Sequence, residues 1–551
     1  MLRVACLVGA TTLALAVSKP HVFLVVGDDI GHFNVGYQGN TEARTPNLDK
    51  LAMEGARLER MYAYFWCSPS RASIMSGRIP AHMYQEKAPQ ASTQDGLPTA
   101  VTTLAEKMRA AGYATVQAGK WHLGRSTPGR MPTSRGFDTS LGFLTGAENH
   151  LNQSACSDRF CLTATGQGVD GAKLPPSILK NTGIFDLWHN DTAGTPPETG
   201  SDKGFGDDRW TDHVIAAVNS TSAGGKPLFA YLALAAAHAP LQAPYEALAP
   251  FPTSMYHDRR MYNGLMSALD TNVGRLVAAI QARPGMWDCS LLLFVSDNGG
   301  PIYFNNPNIT GLPADLRTGG GANNYPLTGG KLSMLEGGVR VVSFAAGGAL
   351  PPAAQGQTFP QLMALADLHA TVVDAGGGTL PDARGVAAGV PPVDGVSLLP
   401  VLRGGPGSPS ARDSIALALN VSLPALPDVA SSALIVGDLK IIVGDQHFYV
   451  TPNRTFPTAD YAFVWDDAHM LKCGTAGCLF NLTADSAEQD DLAASRPDLL
   501  ATMQARLAAE LVKQWERPTG KVNKLAMLAS LVEHKGCLGP FAKDEGLNAY
   551  A

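Results

Sequence analysis

The sequence predicts an α/β protein, with a mostly parallel central sheet flanked by helices and then a smaller region of short antiparallel strands with one helix. Three observations predict it. Continuous apolar, β-branched runs at 21–26 (HVFLVV), 228–234 (LFAYLAL) and 290–295 (SLLLFV) read as strands buried on both faces. Segments with apolar residues at helical spacing alternate with those runs. Polar clusters follow the strands, at the edge where open α/β sheets form ligand sites.

In chain order, the strand at 21–26 ends in Gly27-Asp28-Asp29. Thr45-Pro46 opens a helix carrying Leu48, Leu51 and Ala52 on one face, with Gly55 as its stop. Ser68 as N-cap and Pro69 at the first helical position predict a short helix from Ser70 to Ser76, with Cys67 at its positive end. A helix over 99–111 uses Val101, Leu104, Ala105 and Met108, with Gly112 as its cap. Strand 113–118 then delivers Lys120 and His122. Residues 125–205, rich in Gly, Pro, Thr and Asn, read as long surface loops.

A helix at 210–218 leads to strand 228–234, which ends close to His238. A long helix over 259–282 lines up Met261, Leu265, Leu269, Val273, Leu276 and Ile280. Strand 290–295 runs into Asp297-Asn298, and Lys331 precedes a strand at 341–345. Residues 362–374 read as a helix. The GGPGSPS stretch at 404–410 marks a boundary, dividing a domain 19–408 from one at 409–551. Beyond it come β-like runs at 414–419, 433–436, 439–443 and 447–450 and a helix at 497–515.

With 45% hydrophobic and 16% charged residues the chain is globular. A net charge of −6 gives no basic footprint for nucleic acid and no polybasic membrane patch. Residues 1–18 read as a cleaved signal peptide, so the chain is expected to be exported; secretion, a lysosome, or the periplasm or cell wall all remain open. No later stretch reaches membrane-spanning length, so no stable membrane insertion is expected once the signal is cleaved. Of eight cysteines, Cys6 leaves with the signal. Short loops favour Cys156–Cys161 and Cys473–Cys478 pairs, leaving Cys289 for Cys537. Sequons begin at Asn152, Asn190, Asn219, Asn308, Asn420, Asn453 and Asn481, as expected of a glycoprotein.

Asp28, Asp29, Asp297 and Asn298 form an oxygen-only set, which suits Ca²⁺ or Mg²⁺ and not zinc or copper. Arg71, Lys120, His122, His238 and Lys331 add cationic or donor groups. Metal plus cations around a nucleophile suits transfer of an anionic tetrahedral group. Asp367 and His369 offer a rival metal-ligand pair, but a two-zinc site needs more His ligands.

The blocks CSPSRASIMSGR, AGKWHLG, AAHAPLQAP, VSDNGG and GGKLSMLEGGVR, with VGDDIG near the start, resemble the sulfatase family. The resemblance runs through nearly the whole large domain and is nearest in appearance to the arylsulfatase B group. It implies an alkaline-phosphatase-like fold and a Cys67 that a formylglycine-generating enzyme converts to formylglycine. It further implies one Ca²⁺ held by Asp28, Asp29, Asp297, Asn298 and the modified Cys67. Arg71 and Lys120 would support the aldehyde hydrate, His122 would act as base, and His238 and Lys331 would bind sulfate and protonate the leaving alcohol. The expected substrate is a sulfated small molecule or carbohydrate. A phosphonate monoester or phosphate diester hydrolase, and a silent glycoprotein with an unmodified Cys67, are the alternatives.

Overall fold

The computed structural model describes residues 19–85, 92–154, 185–194, 204–222, 224–302, 320–423, 426–446, 470–515 and 520–543. The expected signal peptide, the Cys156–Cys161 pair and the 447–450 strand lie outside them.

The first sheet has 11 strands: β1 (His21–Gly27), β2 (Ala56–Tyr62), β3 (Ala114–Lys120), β4 (Thr139–Phe143), β5 (Trp188–His189), β6 (Thr192–Ala193), β7 (Leu228–Ala233), β8 (Ser290–Ser296), β9 (Arg340–Val341), β10 (Ser343–Ala346) and β11 (Gln357–Ala364). Their order is β11-β2-β10-β8-β1-β7-β3-β4-β5-β6, with β9 paired to β2. At its centre β8, β1, β7 and β3 run parallel, and their ends are level: Gly27 pairs with Ser296, Val26 with Ala233, and Ala233 with Gly119. Their apolar runs are buried on both faces because helices cover both sides.

Helix α1 (Pro46–Glu54) stops at Gly55 as expected. Helix α2 spans Cys67–Ser76 with an extended Trp66 as its N-cap, so Cys67 is the first residue of the helix and not the residue before it. Ser68 does not cap; its hydroxyl donates to the His122 carbonyl at 2.9 Å. Helix α3 (Leu104–Ala110) starts later than expected, because Thr103 and Glu106 form a reciprocal capping box there. Helices α4 (Gly206–Ser220), α5 (His257–Gln281) and α6 (Leu365–Ala375) complete the cover.

In this sheet β2, β4, β5, β6 and β11 escaped the periodicity reading, and β4, β5 and β6 lie within 125–205, where surface loops were expected; they join the sheet by pairing onto β3. β2 (ARLERMY) carries three charged residues. β11 contains Pro360, which removes a ladder donor and is tolerated because this strand lies at the sheet edge.

The second sheet has four antiparallel strands in the order β12 (Ser414–Leu423), β13 (Leu426–Val436), β14 (Leu439–Val443) and β15 (Cys478–Asn481). Alternation in β14 sends Ile442 into a core with Tyr62, Phe65 and Met334, and Ile441 into one with Met503 and Leu507 of helix α7 (Pro497–Leu511). A further helix, α8 (Lys524–Glu533), was not expected. It belongs to a segment that returns to loops beside the first sheet: Ser92 bridges to Val522, and Phe185 to Cys537.

Cys473–Cys478 is a disulfide. The expected Cys289–Cys537 pair does not form: Cys289 is disulfide-bonded, while Cys537 is a buried free thiol whose sulfur faces the Leu187 carbonyl at 3.3 Å. Assignment by elimination fails because the fold seats Cys537 against β5.

Candidate active site

The four level strands each hand a polar side chain to one edge. Asp28 and Asp29 follow β1, Lys120 ends β3, His238 lies past β7, and Asp297 and Asn298 follow β8. The left-handed backbone at Asp29 (φ 62°) turns the chain sharply after β1. Helix α2 brings Cys67 and Arg71 to the same point, and the loop before β9 brings Lys331.

All these groups are buried, and each carboxylate meets a cation, with Arg71 also 3.6 Å from Asp28 Oδ2. Lys120 Nζ lies 2.5 Å from Asp28 Oδ2. Lys331 Nζ lies 2.7 Å from Asp29 Oδ1. Arg71 grips Asp297 through Nε at 2.9 Å and a terminal nitrogen at 2.8 Å. The Cys67 thiol points at Asp28 Oδ1, 3.6 Å away, and Asn298 Nδ2 donates to Asp29 Oδ1 at 2.7 Å. His238 Nε2 stands 3.7 Å from Asp29 Oδ2, while its Nδ1 lies 2.6 Å from the Ala239 carbonyl. That carbonyl only accepts, so Nδ1 carries a proton and Nε2 is the exchangeable end.

Burial works to raise the Asp28 carboxyl, but Lys120, His238 and Arg71 hold it below its ordinary value. Burial likewise opposes ionisation of Asp29, and Lys331 and His238 outweigh it. Burial lowers His238, reinforced by Lys331 and only partly opposed by Asp29. Burial pushes the Cys67 thiol up to about 12, against the pull of Lys120 and Lys331. Cys67 in thiol form is therefore a poor nucleophile at neutral pH.

One ligand atom from each of Asp28, Asp29, Cys67 and His238 lies within 4.8 Å of the others. The Asn298 Oδ1 atom is buried without a hydrogen-bond partner. An orphaned amide oxygen beside ionised carboxylates is a donor set that fits a hard divalent cation. Three carboxylates balance three cations here, so a bound divalent ion would leave the pocket net positive and suited to an anionic ester.

His122 stands aside from this cluster. It lines an adjoining cleft with Ser68, Tyr84 and Thr145, in a left-handed backbone conformation (φ 52°). Asp367 and His369 lie elsewhere, in the packed helix α6. Asp367 pairs with Arg412, and His369 Nδ1 faces the Ile74 carbonyl at 3.1 Å. Sequence reasoning missed Asp207 and Tyr262. Asp207 accepts from the Ala235 and Ala236 amides at 2.7 and 3.0 Å, ahead of His238. The Tyr262 hydroxyl donates to the Asp29 carbonyl at 2.6 Å. Neither carries a local signal, because each acts across long sequence separation.

A cation-lined edge of a mostly parallel sheet, with a second antiparallel sheet beside it, defines an enzyme of the alkaline-phosphatase-like class. The sulfatase family model matches residues 20–378, and the chain belongs to that family, a hydrolase of sulfatase type. It is similar to mouse (Mus musculus) arylsulfatase J, with 29% identity over 503 residues, covering 89% of this chain and 75% of that protein. Bovine (Bos taurus) arylsulfatase A is 30% identical over 411 residues, covering 72% of this chain and 71% of that protein. Among solved structures, Ps i-CgsB in complex with k-i-k-neocarrahexaose superposes with a TM-score of 0.67 at 26% identity, covering 94% of this chain and 98% of that one.

Proposed function

We propose that the protein hydrolyses sulfate monoesters of aryl or carbohydrate alcohols through a formylglycine hydrate made from Cys67. The observation that carries this reading is the position of Cys67: first residue of α2, 3.6 Å from Asp28, within an edge of paired carboxylates and buried cations. Asp28, Asp29, Asp297 and Asn298, with residue 67, would hold Ca²⁺ or Mg²⁺. When bound, the ion supplies fixed positive charge against charge developing on the sulfate oxygens.

One hydroxyl of the hydrate attacks sulfur, its proton passing to Asp297. The bond from sulfur to the alcohol oxygen breaks, and the alcohol leaves with a proton from Lys331, or from His238 Nε2 once that nitrogen has itself bound one. A sulfate ester of residue 67 remains. His122 then takes the proton of the second hydroxyl, the carbon–oxygen bond to sulfate breaks, and the aldehyde re-forms. Water restores the hydrate. Arg71 and Lys120 hold the hydrate oriented, an arrangement that needs no reorganisation during reaction.

In this reading residues 19–408 form the catalytic domain and 409–551 the smaller one. The chain is exported on a signal peptide at 1–18, glycosylated at its sequons, and matured by a formylglycine-generating enzyme. Among the described residues no helix is long and apolar enough to cross a membrane. Mass spectrometry of the Cys67 peptide from protein made in its native host, with kinetics on p-nitrophenyl sulfate and a phenylphosphonate monoester, tests the proposal. An aldehyde at 67 and preferred sulfate release support it. An unmodified thiol, or a preference for the phosphonate, overturns it.

A further inference from the structure

We propose that the cleft beside His122 receives the alcohol part of the ester, that it is built for a neutral hydroxylated ring, and that the C-terminal strap 534–542 sets its shape. This rests on the sulfatase reading above and adds what selects the substrate. The cleft is half-open, and its empty space of about 500 Å³ runs out into the solvent. Ser68 follows Cys67 and His122 lies two residues past Lys120, so the cleft opens beside the edge where the ester bond would break.

Its walls are held from both sides. The Ser68 hydroxyl spends its one proton on the His122 carbonyl, at 2.9 Å, so at 3.0 Å it accepts from the Tyr84 hydroxyl. On one wall, Asp95 accepts from the Arg125 and Ser126 amides at 2.9 and 3.0 Å. There the strap takes hold: Arg125 donates to the Gly539 carbonyl at 3.2 Å and lies 5.6 Å over the Phe541 ring. The Phe541 and Ala542 amides donate to the Ser126 carbonyl at 2.9 and 2.8 Å. On the opposite wall, the Leu144 and Thr145 amides donate to the buried Asp186 carboxylate at 2.9 and 2.7 Å. Phe185, the preceding residue, is pinned by the same strap: its amide donates to the Gly536 carbonyl at 3.1 Å, and its carbonyl accepts from Leu538 at 2.9 Å.

One short segment thus clamps both walls, and it lies beyond residue 378, where the family match ends. The walls offer acceptor oxygens, since the Ser68, Tyr84 and Thr145 hydroxyls have already donated their protons, together with the Asp95 carboxylate, which Arg130 Nε approaches only to 3.9 Å; the Arg125 guanidinium is turned to the strap. A neutral polyol or sugar ring is welcome there, and a second anionic group would face Asp95.

Two variants test the assignment on the full chain, with thermal midpoint and conversion of Cys67 checked for each. Thr145→Trp fills the cleft; Phe541→Ala loosens the strap. For Thr145→Trp, KM for p-nitrophenyl sulfate should rise roughly tenfold or more, the discrimination a shaped pocket provides. For Phe541→Ala the rise should be roughly threefold, the size of one cation–π contact. Inhibition by inorganic sulfate, which has no alcohol part, should be unchanged in both. KM and the sulfate inhibition constant moving together, or KM unmoved in both variants, overturns the proposal. Charge selection is read from 4-carboxyphenyl sulfate against its neutral carboxamide: the preference for the neutral ester should shrink in Asp95→Asn, which cancels their intrinsic reactivity difference. An unchanged ratio overturns the assignment to a neutral ring. If the wild type turns over no sulfate ester at all, the sulfatase reading fails first and this one with it.

Discussion

Two clusters of buried charge serve opposite ends in this protein. At the strand edge, Asp28, Asp29 and Asp297 each meet a cation, and the Asn298 amide oxygen is left bare. Between the two sheets, Lys440 lies 3.0 Å from Glu336 and 2.8 Å from Glu488. There the Tyr62 hydroxyl donates to Glu336 at 2.9 Å, and the Glu336 amide to Glu488 at 2.6 Å. Two carboxylates share the one ammonium, with Arg340 a further 3.8 Å from Glu336, and burial pushes Glu488 up to about 7. At the edge the cations outweigh burial, so Asp28 and Asp29 stay ionised. Burial alone therefore does not mark a site. Ionised acceptors with an unused oxygen do, whereas the second cluster is closed and ties Glu336, five residues past Lys331, to the second sheet.

The largest effect that would break this contrast is at Cys67. Cys67→Ala should cut turnover of p-nitrophenyl sulfate by a factor on the order of 10³ or more while leaving the thermal midpoint in place. Substantial retained turnover would place the nucleophile elsewhere. Lys440→Met should act the other way, on the fold: stranding two buried carboxylates costs about 3–5 kcal/mol in denaturant unfolding. A loss under about 1 kcal/mol would show that the inter-sheet cluster is not held by charge.

Chelation sharpens the first half of the comparison. Removing divalent ions should lower the thermal midpoint and activity, and Ca²⁺ should restore both; the linkage is worth about 2.7 kcal/mol at a free ion concentration one hundred times Kd. Asn298→Leu should abolish that shift.

The smallest effect is in pH. His82 lies between Asp394 at 2.9 Å and Glu510 at 3.2 Å; burial opposes its charge, but the two carboxylates hold it above its ordinary value. A raised pKa contributes stability that is full below 6.5 and lost as pH rises through the folded value. The same sign holds for Glu488, whose ionisation in the interior is avoided below 4.5 and incurred as pH rises through about 7. The contribution of these two groups should therefore fall as pH rises between about pH 5 and 8, and His82→Asn and Glu488→Gln should each make unfolding stability decline less with pH across that window than it does in the wild type. An unchanged slope in both variants would exclude these two groups as its source.

Much of the site was legible because it sits at strand ends. HVFLVV, LFAYLAL and SLLLFV are apolar on both faces, and the polar residues that follow must leave the sheet at its carboxyl edge. The CSPSR block was equally plain. The start of α2 was not, because Ser68 spends its hydroxyl on His122 instead of capping. Nor was the Cys289–Cys537 error avoidable, since short loops limit nearby cysteines but say nothing about distant ones. β2 and β11 failed for a related reason: their polar residues and Pro360 suit positions that only the strand order explains.

The sequence by itself determined the central strands β1, β3, β7 and β8, the oxygen-rich donor set and the cysteine at a helix start, because each depends on residue type and short spacing. Tertiary structure alone decided the pairing of each carboxylate with its cation, the separation of His122 into its own cleft, and the return of residues 534–542 to clamp that cleft. Those depend on contacts between residues tens to hundreds apart, which hydrogen bonds and packing bring together only once the sheet has closed.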